Sequence, residues 1–229
     1  MENLIQYSPL LAKGAMVTVS LAVLSQILAT ALGALGAVGR IGGGGLARAI
    51  VLAYTTLVRG VPDLVLLLLI YFGGQRLINV ILTGLGQDPM SLPPFWAGVL
   101  SIGFIYGAYL TETFRGAYMT IPRGQVEAGQ ALGLRGLPLH WNVTVPQLVR
   151  FALPGYANVW QVLVKSTAVV SIIGLEDLVG MADSAGKTVR EPFIFFTAVL
   201  FVYLLITWVS TQIFDRLETR YGEGMAHAR

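Results

Sequence analysis

The chain has 229 residues, of which 55% are hydrophobic and only 12% charged, with a mean hydropathy of +0.71. Soluble globular domains carry about a quarter charged residues, so a soluble enzyme or nucleic-acid-binding domain is excluded and an all-α integral membrane protein is implied. The net charge of +3 comes from basic residues scattered singly around apolar runs, a topology signal and not a phosphate-tracking stripe, and zero cysteines exclude disulfides and thiolate chemistry.

Residues 1–13 lack the basic start and cleavage site of a secretory signal. Gly14 to Gly39 then runs 26 residues without a charge, more than the ~20 that cross the hydrocarbon layer, and is the first expected span. Gly33, Gly36 and Gly39 place small residues at helical spacing along it, which suits close helix packing in lipid. Arg40, the Gly42–Gly45 run and Arg48 make a basic turn. The second span is expected over 49–72, with Arg59 and Asp63 four apart on one helix face and Pro62 between them. Gly73 to Pro94 reads as a connector carrying Arg76 and Asp88, its apolar piece Leu77–Leu85 being a short extracytoplasmic or interfacial helix. The third span is expected over 89–114, ending near Glu112 and Arg115.

Pro122 to Pro146 (PRGQVEAGQALGLRGLPLHWNVTVP) interrupts the apolar pattern and must lie in water or against a partner. Gln125 to Leu134 reads there as a short helix, started by Pro122 and stopped by Gly133, Gly136 and Pro138. The fourth span, 151–175, holds Lys165; an acidic segment from Glu176 to Glu191 includes Asp177 and Asp183; the fifth span is 192–214, followed by a polar tail. With the amino end outside, the inner side collects Arg40, Arg48, Arg115, Arg123, Arg135, Arg150, Arg216, Arg220 and Arg229, against Lys13, Arg76, Lys187 and Arg190 outside. The positive-inside rule therefore expects the amino terminus outside, the carboxyl terminus in the cytoplasm and the 122–146 loop on the cytoplasmic side.

Glu127, Ala128 and Gly129, then Gly133, then Val143, Val145 and Pro146 resemble the EAA loop of bacterial ABC importer permeases: EAA, three residues, Gly, nine residues, I-x-L-P. Gly129 replaces the second Ala, and two valines replace Ile and Leu; the spacing is kept. The resemblance extends over Thr55–Phe72, Phe104–Tyr118 and Gln161–Asp177, and so over nearly the whole chain as a single transmembrane domain, to the polar amino acid branch that carries histidine, arginine, lysine and ornithine. It implies a multi-pass subunit of the bacterial inner membrane whose short cytoplasmic coupling helix, between spans 3 and 4, docks on an ATP-binding cassette ATPase dimer. It further implies a second permease subunit, a distinct chain being favoured over a second copy, an extracytoplasmic amino-acid-binding protein, and ATP with Mg on the ATPase, no cofactor being bound by this chain.

A carboxylate at membrane depth is costly unless it faces water, a cation or a partner, which makes Asp63 the sharpest candidate for meeting a cationic substrate. Its competing role is an internal pair with Arg59. Glu112 is placed either on the path or in a helix-end pair with Arg115; Lys165 either meets a carboxylate or snorkels. Gln161, Ser166 and Thr167 are placed to line the same path, whereas Tyr106 and Tyr109 read as packing aromatics. No H-E-x-x-H, G-x-x-x-x-G-K-[ST] or G-x-S-x-G occurs, and His140 and His227 fall in a loop and the tail, so neither an intrinsic ATPase nor a hydrolase nor a metal site is expected. A secondary carrier would call for more spans and an internal inverted repeat.

Overall fold

In the computed structural model residues 2–222 are described; the tail positions His227 and Arg229 lie outside them. The described residues are mostly helical, with no strand among them. Five stretches are long and apolar enough to cross a membrane: Ser8–Gly42, Asp63–Gly84, Pro94–Thr120, Leu137–Ile173 and Pro192–Tyr221.

The elements are α1 (Glu2–Gln6), α2 (Ser8–Gly42), α3 (Gly45–Gly60), α4 (Asp63–Leu68), a π-helical turn over Leu69–Gly73, α5 (Gly74–Gly84) and α6 (Pro94–Thr120). They continue with α7 (Arg123–Ala131), α8 (Leu137–Leu139), a second π-helical turn over His140–Thr144, α9 (Val145–Ser166), a 3-10 segment over Thr167–Ile173, α10 (Leu178–Val189) and α11 (Pro192–Gly222).

At the centre α2 and α6 lie side by side and parallel. In lipid no hydrophobic drive holds helices together, so contact depends on backbones approaching closely over small residues. A Cβ on Gly33 would stand 2.6 Å from Leu110 Cβ and 3.1 Å from the Leu110 carbonyl carbon, and one on Gly103 would stand 2.6 Å from Leu28 Cδ2. The glycine stripe of the first span is thus used: Gly33 and Gly36 seat α6, while Gly39 faces Val51 of α3. α9 returns antiparallel along α6, with Gly155 against Thr113 and Phe114 stacked on Tyr156. α11 closes the far side through Thr167 to Tyr203 and Tyr156 to Phe214.

The second crossing departs from expectation. In place of one helix over 49–72, α3 stops at Gly60, Val61 is extended (φ −116°, ψ 140°) and a new helix starts at Asp63. Pro62 explains the break, because it has no N–H to give and forces the preceding residue out of the helical region. The helix then runs unbroken to Gly84, so Leu77–Leu85 is the end of this crossing and not a separate short helix. Residues 88–93 have no regular secondary structure and are pinned to it: Asn79 Oδ1 accepts from the Met90 N–H at 3.0 Å and Gln75 Oε1 from the Leu92 N–H at 2.6 Å. The third helix consequently begins at Pro94 rather than at 89.

Between the last two crossings Asp177 caps α10. It is fully buried, with Oδ1 accepting from the Gly180 N–H at 2.8 Å and Oδ2 without a partner among the described residues. Burial pushes its carboxyl up to about 6. An unfolded aspartate titrates near ~4, so this group favours the fold most below that value and the advantage is lost as pH rises through about 6. Asp177→Asn keeps the acceptor and removes the buried charge. We expect it to leave the thermal midpoint unchanged at pH 4 and to raise it at pH 8 by a few degrees, on the order of 1–2 kcal/mol. Equal shifts at both pH values in melts of the purified protein would contradict this.

Candidate functional site

The break at Val61–Pro62 places two ionisable side chains at its lips. Asp63, the first residue of α4, accepts a hydrogen bond at Oδ2 from the Tyr106 hydroxyl at 2.7 Å. Tyr106, on α6, is 2% exposed and is also hydrogen-bonded to the Ser166 hydroxyl, at the last residue of α9. Its ring stacks on Tyr109, centroids 5.5 Å apart and 27° between planes. The Arg59 guanidinium carbon lies 5.5 Å from the Tyr109 ring centroid. Arg59 and Asp63 do not pair: the ion pairs among the described residues are Arg40–Glu112, Arg115–Glu112 and Lys187–Asp183. The internal Arg59–Asp63 pair needs a continuous helix, and the proline removes it.

Glu112 sits one turn along α6 from Tyr109 and holds Arg115 at 2.8 Å and Arg40 of α2 at 3.7 Å, the helix-end pairing with a second arginine added. Arg40, Thr55, Thr56, Arg59, Tyr109 and Glu112 line a polar cavity of about 450 Å³. The expected path residues therefore divide. Asp63 and Ser166 meet at Tyr106, while Arg59 and Glu112 share the cavity. Gln161 turns away, donating to Thr211 Oγ1 at 3.2 Å and the Thr207 carbonyl at 3.4 Å on α11, and Lys165 is exposed. Tyr106, expected only to pack, is the side chain that connects the cluster.

At the end of the bundle where α6 finishes, the 122–146 stretch folds back on itself. Its helix occupies Arg123–Ala131, slightly ahead of the expected 125–134. Gly133 takes a left-handed conformation (φ +85°) that closes the turn, its N–H bonding the Gln130 carbonyl at 2.9 Å while the Leu134 N–H reaches Gly129 at 3.1 Å. Gly129 is covered by Leu139 and Val143; a Cβ there would stand 2.6 Å from Leu139 Cδ1. Those two side chains clamp a helix too short to persist alone. Glu127 and Ala128 face outward, and Pro146 is the second residue of α9. A cavity of about 490 Å³ opens beside the helix, its walls including Tyr118, Arg123, Val126, Glu127 and Gln130.

Long apolar helices, a carboxylate held beside the middle of one of them and a short exposed helix at one end of the bundle are the features of a membrane transport component. Residues 29–223 match the model of the binding-protein-dependent transport system inner membrane component family, and the chain belongs to that family. It is 44% identical over 97% of both chains to the histidine/lysine/arginine/ornithine transport system permease protein HisQ of Escherichia coli. It is also 39% identical to the octopine transport system permease protein OccQ of Rhizobium radiobacter, over 84% of this chain and 82% of that one. Among solved structures it superposes on an amino acid ABC transporter with histidines at a TM-score of 0.78, with 29% identity and 95% and 96% of the two chains covered. The chain is thus a transport subunit, and ATP hydrolysis lies in a separate subunit.

Proposed function

We propose that this chain is one permease half of an ATP-driven importer for cationic amino acids of the histidine, arginine, lysine and ornithine type, set in the bacterial inner membrane. The observation that carries the reading is the Asp63 carboxylate, held by Tyr106 beside the middle of the apolar helix α6 with its second oxygen free of any described hydrogen bond. An uncompensated carboxylate there is costly, and a cationic substrate supplies the compensation. The 44% identity to a permease named for these four amino acids supports the same class.

Five crossings supply half a path, so a second, similar permease completes it. An extracytoplasmic binding protein delivers substrate, and an ATPase dimer holding ATP and Mg meets the exposed face of α7 through Glu127, Ala128 and the turn at Gly133. The amino terminus faces outward and α7 faces the cytoplasm. In support, Arg40 and Arg115 share the end of the bundle that carries α7, with Arg123 and Arg135 beside it. The test is labelled arginine uptake into vesicles holding the complete complex. Uptake is expected only with the ATPase and ATP present; uptake that persists without the ATPase, driven by an ion gradient, would overturn the reading in favour of a secondary carrier.

A further inference from the structure

We propose that Tyr106 is the positioning residue for the Asp63 carboxylate, and that it joins the substrate contact to the point where α9 tightens into its 3-10 segment. This rests on the reading of Asp63 as the group that meets substrate.

Hydrogen counting fixes the direction of the chain of hydroxyls. An ionised carboxylate only accepts, so Tyr106 donates its single hydroxyl hydrogen to Asp63 Oδ2, and Ser166 must then donate to the Tyr106 oxygen. Each donor in such a series polarises the next, and the bond that ends on the charge is the strongest. Tyr106 is 2% exposed and braced by the Tyr109 ring, so its hydroxyl has little freedom to move. Oδ2 is thereby committed, and Oδ1, which has no described hydrogen bond, is left for substrate.

The three residues come from three separate elements: the helix restart after Pro62, the middle of α6 and the last residue of α9. Ser166 directly precedes Thr167–Ile173, where the helix changes to three residues per turn, a change that often marks a hinge. Thr167, fully buried, bonds the Val164 carbonyl at 2.7 Å and reaches the Tyr203 hydroxyl at 3.2 Å. Occupation of Asp63 is therefore communicated to this junction through one tyrosine hydroxyl.

The test is a double-mutant cycle on arginine uptake by the complete reconstituted importer. Tyr106→Phe keeps the ring and its stack and removes the hydroxyl. It is expected to raise KM for arginine on the order of tenfold, the loss of one charge-assisted hydrogen bond, with maximal ATP hydrolysis within about twofold of native. In an Asp63→Asn background the same change is expected to cost nothing further, since a residue that acts through Asp63 has nothing left to position. Ser166→Ala, which leaves ring and acceptor in place, is expected to shift KM in the same direction by roughly threefold and serves if Tyr106→Phe fails to assemble. Losses that add across the cycle, or a neutral Tyr106→Phe beside a costly Asp63→Asn, overturn the positioning role alone. A neutral Asp63→Asn overturns both this role and the substrate reading beneath it.

Discussion

Asp63→Leu is expected to lower arginine and histidine uptake on the order of 100-fold while the complex still assembles and still hydrolyses ATP. The size follows from what is removed. On the proposed reading the bound cation loses the Asp63 carboxylate, and leaving one partner of such a pair uncompensated costs several kcal/mol. The selectivity follows as well. Asp63 makes no ion pair within the described chain, so its loss unpairs no internal cation, and Arg59 keeps its place over Tyr109. If arginine uptake is unchanged in Asp63→Leu, specificity lies elsewhere, in the partner permease or the binding protein.

Glu127→Lys is expected to abolish coupling with little effect on the fold. Glu127 is exposed on α7 and has no described hydrogen bond or ion pair, whereas the residues that hold α7 in place, Gly129 under Leu139 and Val143, are untouched. On the proposed docking of α7, reversing this charge inside the interface costs several kcal/mol, which corresponds to a loss of ATPase affinity on the order of 100-fold or more. Co-purification of the ATPase and ATP-dependent uptake should fail together. Retention of both in the variant would remove α7 from the ATPase interface.

How far the sequence reveals this structure depends on what each feature requires. The helical membrane class was legible because runs such as Gly14–Gly39 carry no charge, a property of each segment alone. The EAA-like stretch was legible for a similar reason: Glu127 and Gly133 lie at fixed spacing within one short helix and its turn, and Pro146 follows 13 residues on, at the start of α9. The second crossing was not, because hydropathy is continuous across Pro62 and the break lies in the backbone. The Gly73–Gly74 pair also reads as a connector, yet in the fold it continues the helix through a π turn. The spacing of Arg59 and Asp63 implied a shared face only on the assumption of an unbroken helix.

Tyr106 was misread for a different reason. Its partners, Asp63 and Ser166, are 43 and 60 residues away, so no local pattern marks its hydroxyl. The one available cue was that Tyr106 and Tyr109 lie three apart on α6, on a common face. Gln161 and Lys165 show the converse: near Ser166 in sequence, they point to α11 and to the surface because they share a helix face turned away from the one that carries Ser166.

The central claim, that this chain forms half of an ATP-coupled path for cationic amino acids, is tested most directly by uptake of labelled arginine and labelled glutamine into vesicles holding the native complex, with ATP and with a non-hydrolysable analogue. Arginine accumulation that requires ATP hydrolysis, with glutamine left outside, is the predicted result. Equal uptake of the two amino acids, or arginine uptake that proceeds with the analogue, would contradict it.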